Sequence, residues 1–125
     1  LDFGTATTFD VVLKNRYKGG IIAPGVNLSL KTLVEKARLI PDIKLIKIKN
    51  IIGKNTQNAV RSGFYWGYQG LILNIINLIK KENKKNFKII FTGGLSHLFK
   101  NTIKKKVKVD KDLTIKGLFK LIDKI

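Results

Sequence analysis

The sequence predicts an α/β domain in which a mixed sheet, built from a β-meander plus helix-linked strands, has helices packed against it. Three observations lead there. Two runs rich in β-branched and aromatic residues, Thr7 to Leu13 and Tyr17 to Ala23, flank the short polar link Lys14-Asn15-Arg16, a hairpin signal. The 26 residues from Gln57 to about Glu82 carry the longest helical periodicity. After them, Phe87 to Phe91 is a short apolar run of β type that ends in Thr92-Gly93-Gly94.

Taken in order, Leu1-Asp2-Phe3-Gly4 reads as the end of a first strand, and the hairpin follows. Pro24-Gly25 punctuates the end of its second arm. From Leu28 the apolar positions Leu28, Leu33, Val34 and Ala37 suit a helix, with Asn27 or Ser29 as N-cap and Pro41 as its stop. Residues 43–52 alternate Ile and Lys, as an exposed strand or an extended loop would. Asn55 or Thr56 is placed to cap the periodic segment, which forms one long helix or two with a break near Gly70. A helix near Ser96, a short strand at Val107 and Val109, and a terminal helix capped by Asp112 and running through Leu118, Leu121 and Ile122 complete the chain.

Composition excludes several classes. With no Cys there is no disulfide framework, thiolate metal site or cysteine nucleophile, which fits a reducing cytoplasm, the expected compartment. A single His, His97, excludes a multi-histidine metal site, and its place at a helix start suits a structural role. The apolar stretch Leu71 to Ile79 is interrupted by Asn74 and Asn77 and falls far short of the roughly 20 residues that a span requires, so no membrane partner is expected.

The net charge is +17, yet Lys outnumbers Arg by 22 to 3. Nucleic-acid readers favour Arg for its bidentate fork, so Lys80-Lys81, Lys84-Lys85 and Lys104-Lys105-Lys106 read as solvated helix ends and loops rather than a specific nucleic-acid face. No Met is present and the first residues already read as the end of a strand, so the start is expected to be missing; residues 1–125 read as a single domain.

Chemistry concentrates in Leu1-Asp2-Phe3-Gly4-Thr5-Ala6-Thr7-Thr8. A carboxylate on a strand is followed by a glycine that admits close backbone approach and by three hydroxyls able to donate to phosphate oxygens. A carboxylate repels phosphate, so the pattern makes sense with a cation between them. Thr92-Gly93-Gly94 is a second strand-to-helix glycine turn. Gly53-Lys54-Asn55-Thr56 lacks the upstream Gly of a P-loop, and no G-x-G-x-x-G occurs. In the long helix Ala59, Gly63, Gly67 and Gly70 share one face, expected to pack closely inside the domain, with a subunit interface or a substrate wall as the alternative. Phe64, Tyr65, Trp66 and Tyr68 cover the other faces as core and interface residues.

These blocks, with Gly19-Gly20-Ile21-Ile22-Ala23-Pro24-Gly25, Ile52 to Thr56, Phe91 to Gly94 and Asp112 to Leu118, occur in an order and spacing that resembles the C-terminal half of type III pantothenate kinases. The resemblance covers essentially the whole chain. It implies a ribonuclease H-like (actin-like ATPase) fold and transfer of the γ-phosphoryl of ATP to the 4′-hydroxyl of pantothenate, opening coenzyme A biosynthesis. By the same resemblance Asp2 is the ligand of a monovalent cation, K⁺ or NH₄⁺, while Gly4 and Thr5 bind the ATP phosphates. Mg²⁺ is expected with the nucleotide. Thr56 is the substrate-binding residue, reaching the pantothenate site of the partner in a homodimer. The family's Asp-x-Gly-Asn-Thr loop and its Gly-x-Asp-Arg segment with the catalytic Asp are absent and expected upstream of Leu1, so the chain by itself is expected to be inactive. The alternatives are another small-molecule kinase of the same superfamily or a basic nucleic-acid-binding protein.

Overall fold

The computed structural model describes residues 1–104 and 106–125, so Lys105 of the Lys104-Lys105-Lys106 run lies outside them. Lys81, Lys84, Lys85, Lys104 and Lys106 are exposed, as expected, while Lys80 is half-buried.

Strand β1 (Asp2–Phe3) turns through Gly4-Thr5 into β2 (Ala6–Leu13), and β3 (Arg16–Pro24) pairs back on β2 antiparallel. Lys14 and Asn15 take φ of 51° and 59°, the left-handed pair of a two-residue turn matched to the twist of its strands. Helices α1 (Val26–Lys36) and α2 (Thr56–Asn83) follow, then β4 (Ile90–Gly93), α3 (Ser96–Phe99), β5 (Lys108–Val109) and α4 (Leu113–Ile122). The sheet order is β3-β2-β1-β4-β5, with β1, β4 and β5 mutually parallel. This is the mixed sheet of a meander plus helix-linked strands.

One sheet face carries Phe3, Phe9 and Phe91. Against it pack Tyr65, Ile72 and Ile76 of α2 and Phe99 of α3, all buried. The Phe99 ring stacks on Phe3 at 5.5 Å and on Tyr65 at 6.0 Å, an offset aromatic column that fixes α2 and α3 to β1.

Some expectations are borne out and others corrected. Helix α1 begins at Val26, with Gly25 at the N-cap and no side-chain cap, so neither Asn27 nor Ser29 serves; the helix ends at Lys36, short of Pro41. Residues 43–52 form no strand. Their carbonyls are taken by α2 side chains: Arg61 Nε donates to Lys44 O at 3.0 Å, and Ser62 Oγ to Ile51 O. Helix α2 is unbroken through Gly70, and its N-cap is Asn55, whose side chain accepts from Asn58 N–H at 2.8 Å. Asp112 stands at the N-cap of α4, but its side chain does not cap. Ala59, Gly63, Gly67 and Gly70 are exposed, and a Cβ on any of the three glycines would meet open space. The stripe therefore does not pack inside the domain. His97 is exposed.

Candidate functional site

Parallel strands β1 and β4 lie side by side, Asp2 against Thr92 and Phe3 against Gly93, and both end at the same sheet edge. The chain leaves β1 toward β2 on one side and leaves β4 toward β5 on the other, a switch point at which a crevice is expected beyond the carboxyl ends of the two strands. Such switch points are where open α/β sheets bind ligands. Both strands end there in glycine turns: Gly4-Thr5 after β1 and Gly93-Gly94 after β4.

Asp2 is half-buried on the sheet face it shares with its register partners Thr8 and Thr92. Its Oδ1 lies against Gly93, where a Cβ would stand 2.6 Å away, and against Gly4, where a Cβ would stand at 3.6 Å. No hydrogen bond from the described residues reaches this carboxylate. A hard oxygen that accepts no hydrogen bond, in a cradle of two glycines, fits a hard cation completed by other oxygens. The described residues hold no cluster of three or more His, Cys, Asp or Glu, so the donor set for a cation here is one carboxylate plus carbonyl or phosphate oxygens.

The turn itself is tight and exposed. Gly4 N–H donates to Ala6 O at 3.1 Å, and Gly4 and Thr5 both face solvent. The three hydroxyls of the opening motif do not share one role. Thr5 is exposed and Thr8 is half-buried, donating to Asp10 Oδ2 at 3.4 Å. Thr7 is fully buried on the core side, where its hydroxyl makes no hydrogen bond, so it cannot reach a phosphate. The turn is backed by Gly25: a Cβ there would overlap the Thr5 carbonyl, with Thr5 C at 2.6 Å. The glycine is required for space, since its φ of −68° suits any residue.

Thr56 is not brought to this crevice. It opens α2, exposed, beside a recess lined by Lys49, Gly53, Lys54 and Asn58. Tyr68, twelve residues on, contacts the turn's backing, which puts Thr56 roughly 18 Å away along the helix axis at 1.5 Å per residue. A separate cavity of about 350 Å³ opens between β2 and the approach to β4, walled by Leu1, Asp2, Phe9, Ile76, Ile89 and Leu113 among others. Asp2 thus stands between the crevice and this mostly apolar cavity. Burial pushes the Leu1 amine down from its usual range, opposed by Asp10 and Asp2.

Sequence reasoning singled out Asp2 as a cation ligand, Gly4 and Thr5 as a phosphate-binding turn and Gly93 as part of a second glycine turn, and the fold brings the four close together. It left Tyr68 among the core and interface aromatics. Tyr68 Oη lies 3.2 Å from Pro24 O, 3.3 Å from Gly25 O and 3.1 Å from Ser29 Oγ. A Tyr within a helix carries no local signal of such a contact, because its partners lie 39 or more residues away.

The family model for type III pantothenate kinase matches residues 1–78. Curated relatives with that name include one from Pelagibacter ubique, 67% identical over 120 residues, covering 96% of this chain and 48% of the relative. Another, from Ruegeria sp., is 48% identical over 119 residues, covering 94% of this chain and 46% of the relative. The chain spans about half the length of the curated relatives it matches. A crystal structure of a conserved Baf family protein from Campylobacter jejuni superposes with a TM-score of 0.66 at 24% identity, over 98% of this chain and 55% of that one, a likeness of fold alone.

Proposed function

Because the chain belongs to the type III pantothenate kinase family, we propose that it supplies half of a kinase that moves the γ-phosphoryl group of ATP to the 4′-hydroxyl of pantothenate, the first step of coenzyme A biosynthesis. The fold is then the ribonuclease H-like half of an actin-like ATPase, and the cytoplasm is its compartment. The observation that carries the reading is the Asp2 carboxylate, seated between Gly4 and Gly93 beside an exposed Gly4-Thr5 turn.

In this reading Thr5 Oγ and the turn amides donate to the phosphates of ATP, which Gly4 allows to approach the backbone. Asp2 and nearby oxygens hold K⁺ or NH₄⁺, whose charge offsets the repulsion between carboxylate and phosphate; Mg²⁺ travels with the nucleotide. The pantothenate hydroxyl gives its proton to an Asp outside this chain, its oxygen bonds to the γ-phosphorus, and the bond to the β–γ bridging oxygen breaks to release ADP. Positioning and charge stabilisation dominate such a transfer. Thr56, distant from the turn of its own chain, contacts pantothenate in the site of a second copy, which requires a homodimer. The outward stripe of Ala59, Gly63, Gly67 and Gly70 suits close helix approach in that dimer.

The test replaces the matching half of the Pelagibacter ubique relative with this chain and measures ADP release with ATP and pantothenate, in K⁺ and in Na⁺. Pantothenate-dependent, K⁺-stimulated turnover that Asp2→Ala renders insensitive to K⁺ is the expected result. A folded chimera that releases no ADP, or one in which Asp2→Ala keeps full K⁺ stimulation, overturns the assignment.

A further inference from the structure

We propose that Tyr68 is a positioning residue for the phosphate-binding turn, acting from α2 through Gly25; the inference rests on the kinase reading for its purpose, though not for its geometry. Gly4-Thr5 is anchored by what lies before and after it, Phe3 on one side and Ala6, paired with Pro24, on the other. Tyr68 is linked to each anchor through one neighbour, Phe99 for Phe3 and Pro24 for Ala6. Its ring lies 6.5 Å from Phe99, which stacks on Phe3 at 5.5 Å. Its hydroxyl reaches the carbonyls of Pro24 and Gly25 and the hydroxyl of Ser29.

The Gly25 contact matters because nothing intervenes between Gly25 and the turn. Its Cα is pressed on the Thr5 carbonyl so closely that a methyl group would overlap it, and Gly4 O would lie 3.1 Å from that methyl. Moving Gly25 therefore moves Thr5. The Gly25 carbonyl also accepts the first helical bond of α1, from Ser29 N–H at 2.9 Å. Tyr68 thus joins α1, α2 and the hairpin at one point behind the turn. The opposite side of Gly4 and Thr5 is open to solvent, so the turn is placed by its flanking strands and by the Gly25 backing. A phosphate contact of this kind loses strength with small displacements.

Tyr68→Phe removes one oxygen and keeps both ring contacts, which separates positioning from packing. Amide hydrogen exchange on the intact chain reads the turn directly. Because a hydrogen bond of this class shifts an opening equilibrium by about fivefold to tenfold, the Gly4 amide should exchange faster by that factor while Ile72 and Ile76 amides keep their rates. Ser29→Ala leaves both carbonyl contacts and should leave Gly4 at its wild-type rate. In the chimera, Tyr68→Phe should raise KM for ATP severalfold while leaving KM for pantothenate in place. A Gly4 amide that exchanges at the wild-type rate in Tyr68→Phe overturns the inference. So does acceleration spread evenly over α2, which would mark a purely structural role. The exchange result stands whether or not the chimera turns over, so failure of the kinase reading and failure of the positioning role are distinguishable.

Discussion

Lys116 Nζ donates to both carboxylate oxygens of Asp110, at 2.8 Å and 3.0 Å, clasping α4 to the residue that follows β5. Asp112 N–H reaches the same carboxylate at 3.2 Å. The clasp is the polar fastening of a helix without a single buried residue, whose Leu118, Phe119, Leu121 and Ile122 are all exposed. The hydrogen bond to Lys116, helped by that from Asp112, holds the Asp110 carboxyl below its ordinary range, and Asp110 holds the Lys116 ammonium above its own.

The sign of the pH effect follows. A depressed carboxylate contributes stability present above its unfolded pKa and lost as pH falls through the folded value; a raised ammonium contributes stability present below its unfolded pKa and lost as pH rises through the folded value. Attachment of α4 should therefore be flat across neutral pH and loosen at both extremes. Trypsin cleavage at Lys120 and Lys124, followed against pH, checks this. Asp110→Asn should be cleaved faster at neutral pH and lose the acid limb.

Gly93 and Gly94 should behave oppositely. Gly93 has φ of 88° and no room for a methyl beside Asp2 and Phe3, whereas Gly94 faces open space without a positive φ. Gly93→Ala is expected to cost about 2–4 kcal/mol through overlap and backbone strain. Gly94→Ala should stay within about 0.5 kcal/mol. Urea denaturation of the two variants measures the difference.

Thr7 and Thr5 separate stability from binding. The Thr7 hydroxyl is buried without a partner, so Thr7→Val should stabilise the chain by about 1 kcal/mol by removing an unsatisfied group while keeping its shape. Thr5→Val, on the exposed turn, should leave the urea midpoint in place and weaken ATP binding in the chimera.

The glycine stripe tests the homodimer. Gly67 sits in an exposed helix interior with nothing near its Cα, so Gly67→Ala should raise the stability of a lone chain by about 0.5–1 kcal/mol. The same methyl should lower the dimer fraction in sedimentation if two copies of α2 meet on this face.

What could be read from the sequence was local. The hairpin around Lys14-Asn15, the long α2 with its Asn55 cap and the two glycine turns all announce themselves within a few residues. What escaped depends on distant partners. Alternating Ile and Lys in 43–52 leave strand and extended loop both open, and the loop is chosen where Arg61 and Ser62 take the carbonyls of Lys44 and Ile51. The start of α1 is set by Gly25 pressing on Thr5, so cap residues two to four positions later had no part in it. The small residues of α2 share a face, as their spacing requires, but spacing does not say which way a face points. Asp2, Gly4 and Thr5 could be singled out because carboxylate, glycine and hydroxyl adjoin in the chain; Tyr68 could not, because its partners adjoin it only in space.

The walls behind the Gly4-Thr5 turn are largely main chain: the Gly25 backbone against the Thr5 carbonyl, and Gly93 against the backbone of Phe3. A mould cast in peptide groups is indifferent to most exchanges of side chain around it. Its weak points are two hydrogen atoms, one on each glycine, and adding a carbon at either would spoil the shape more surely than rewriting much of the exposed surface.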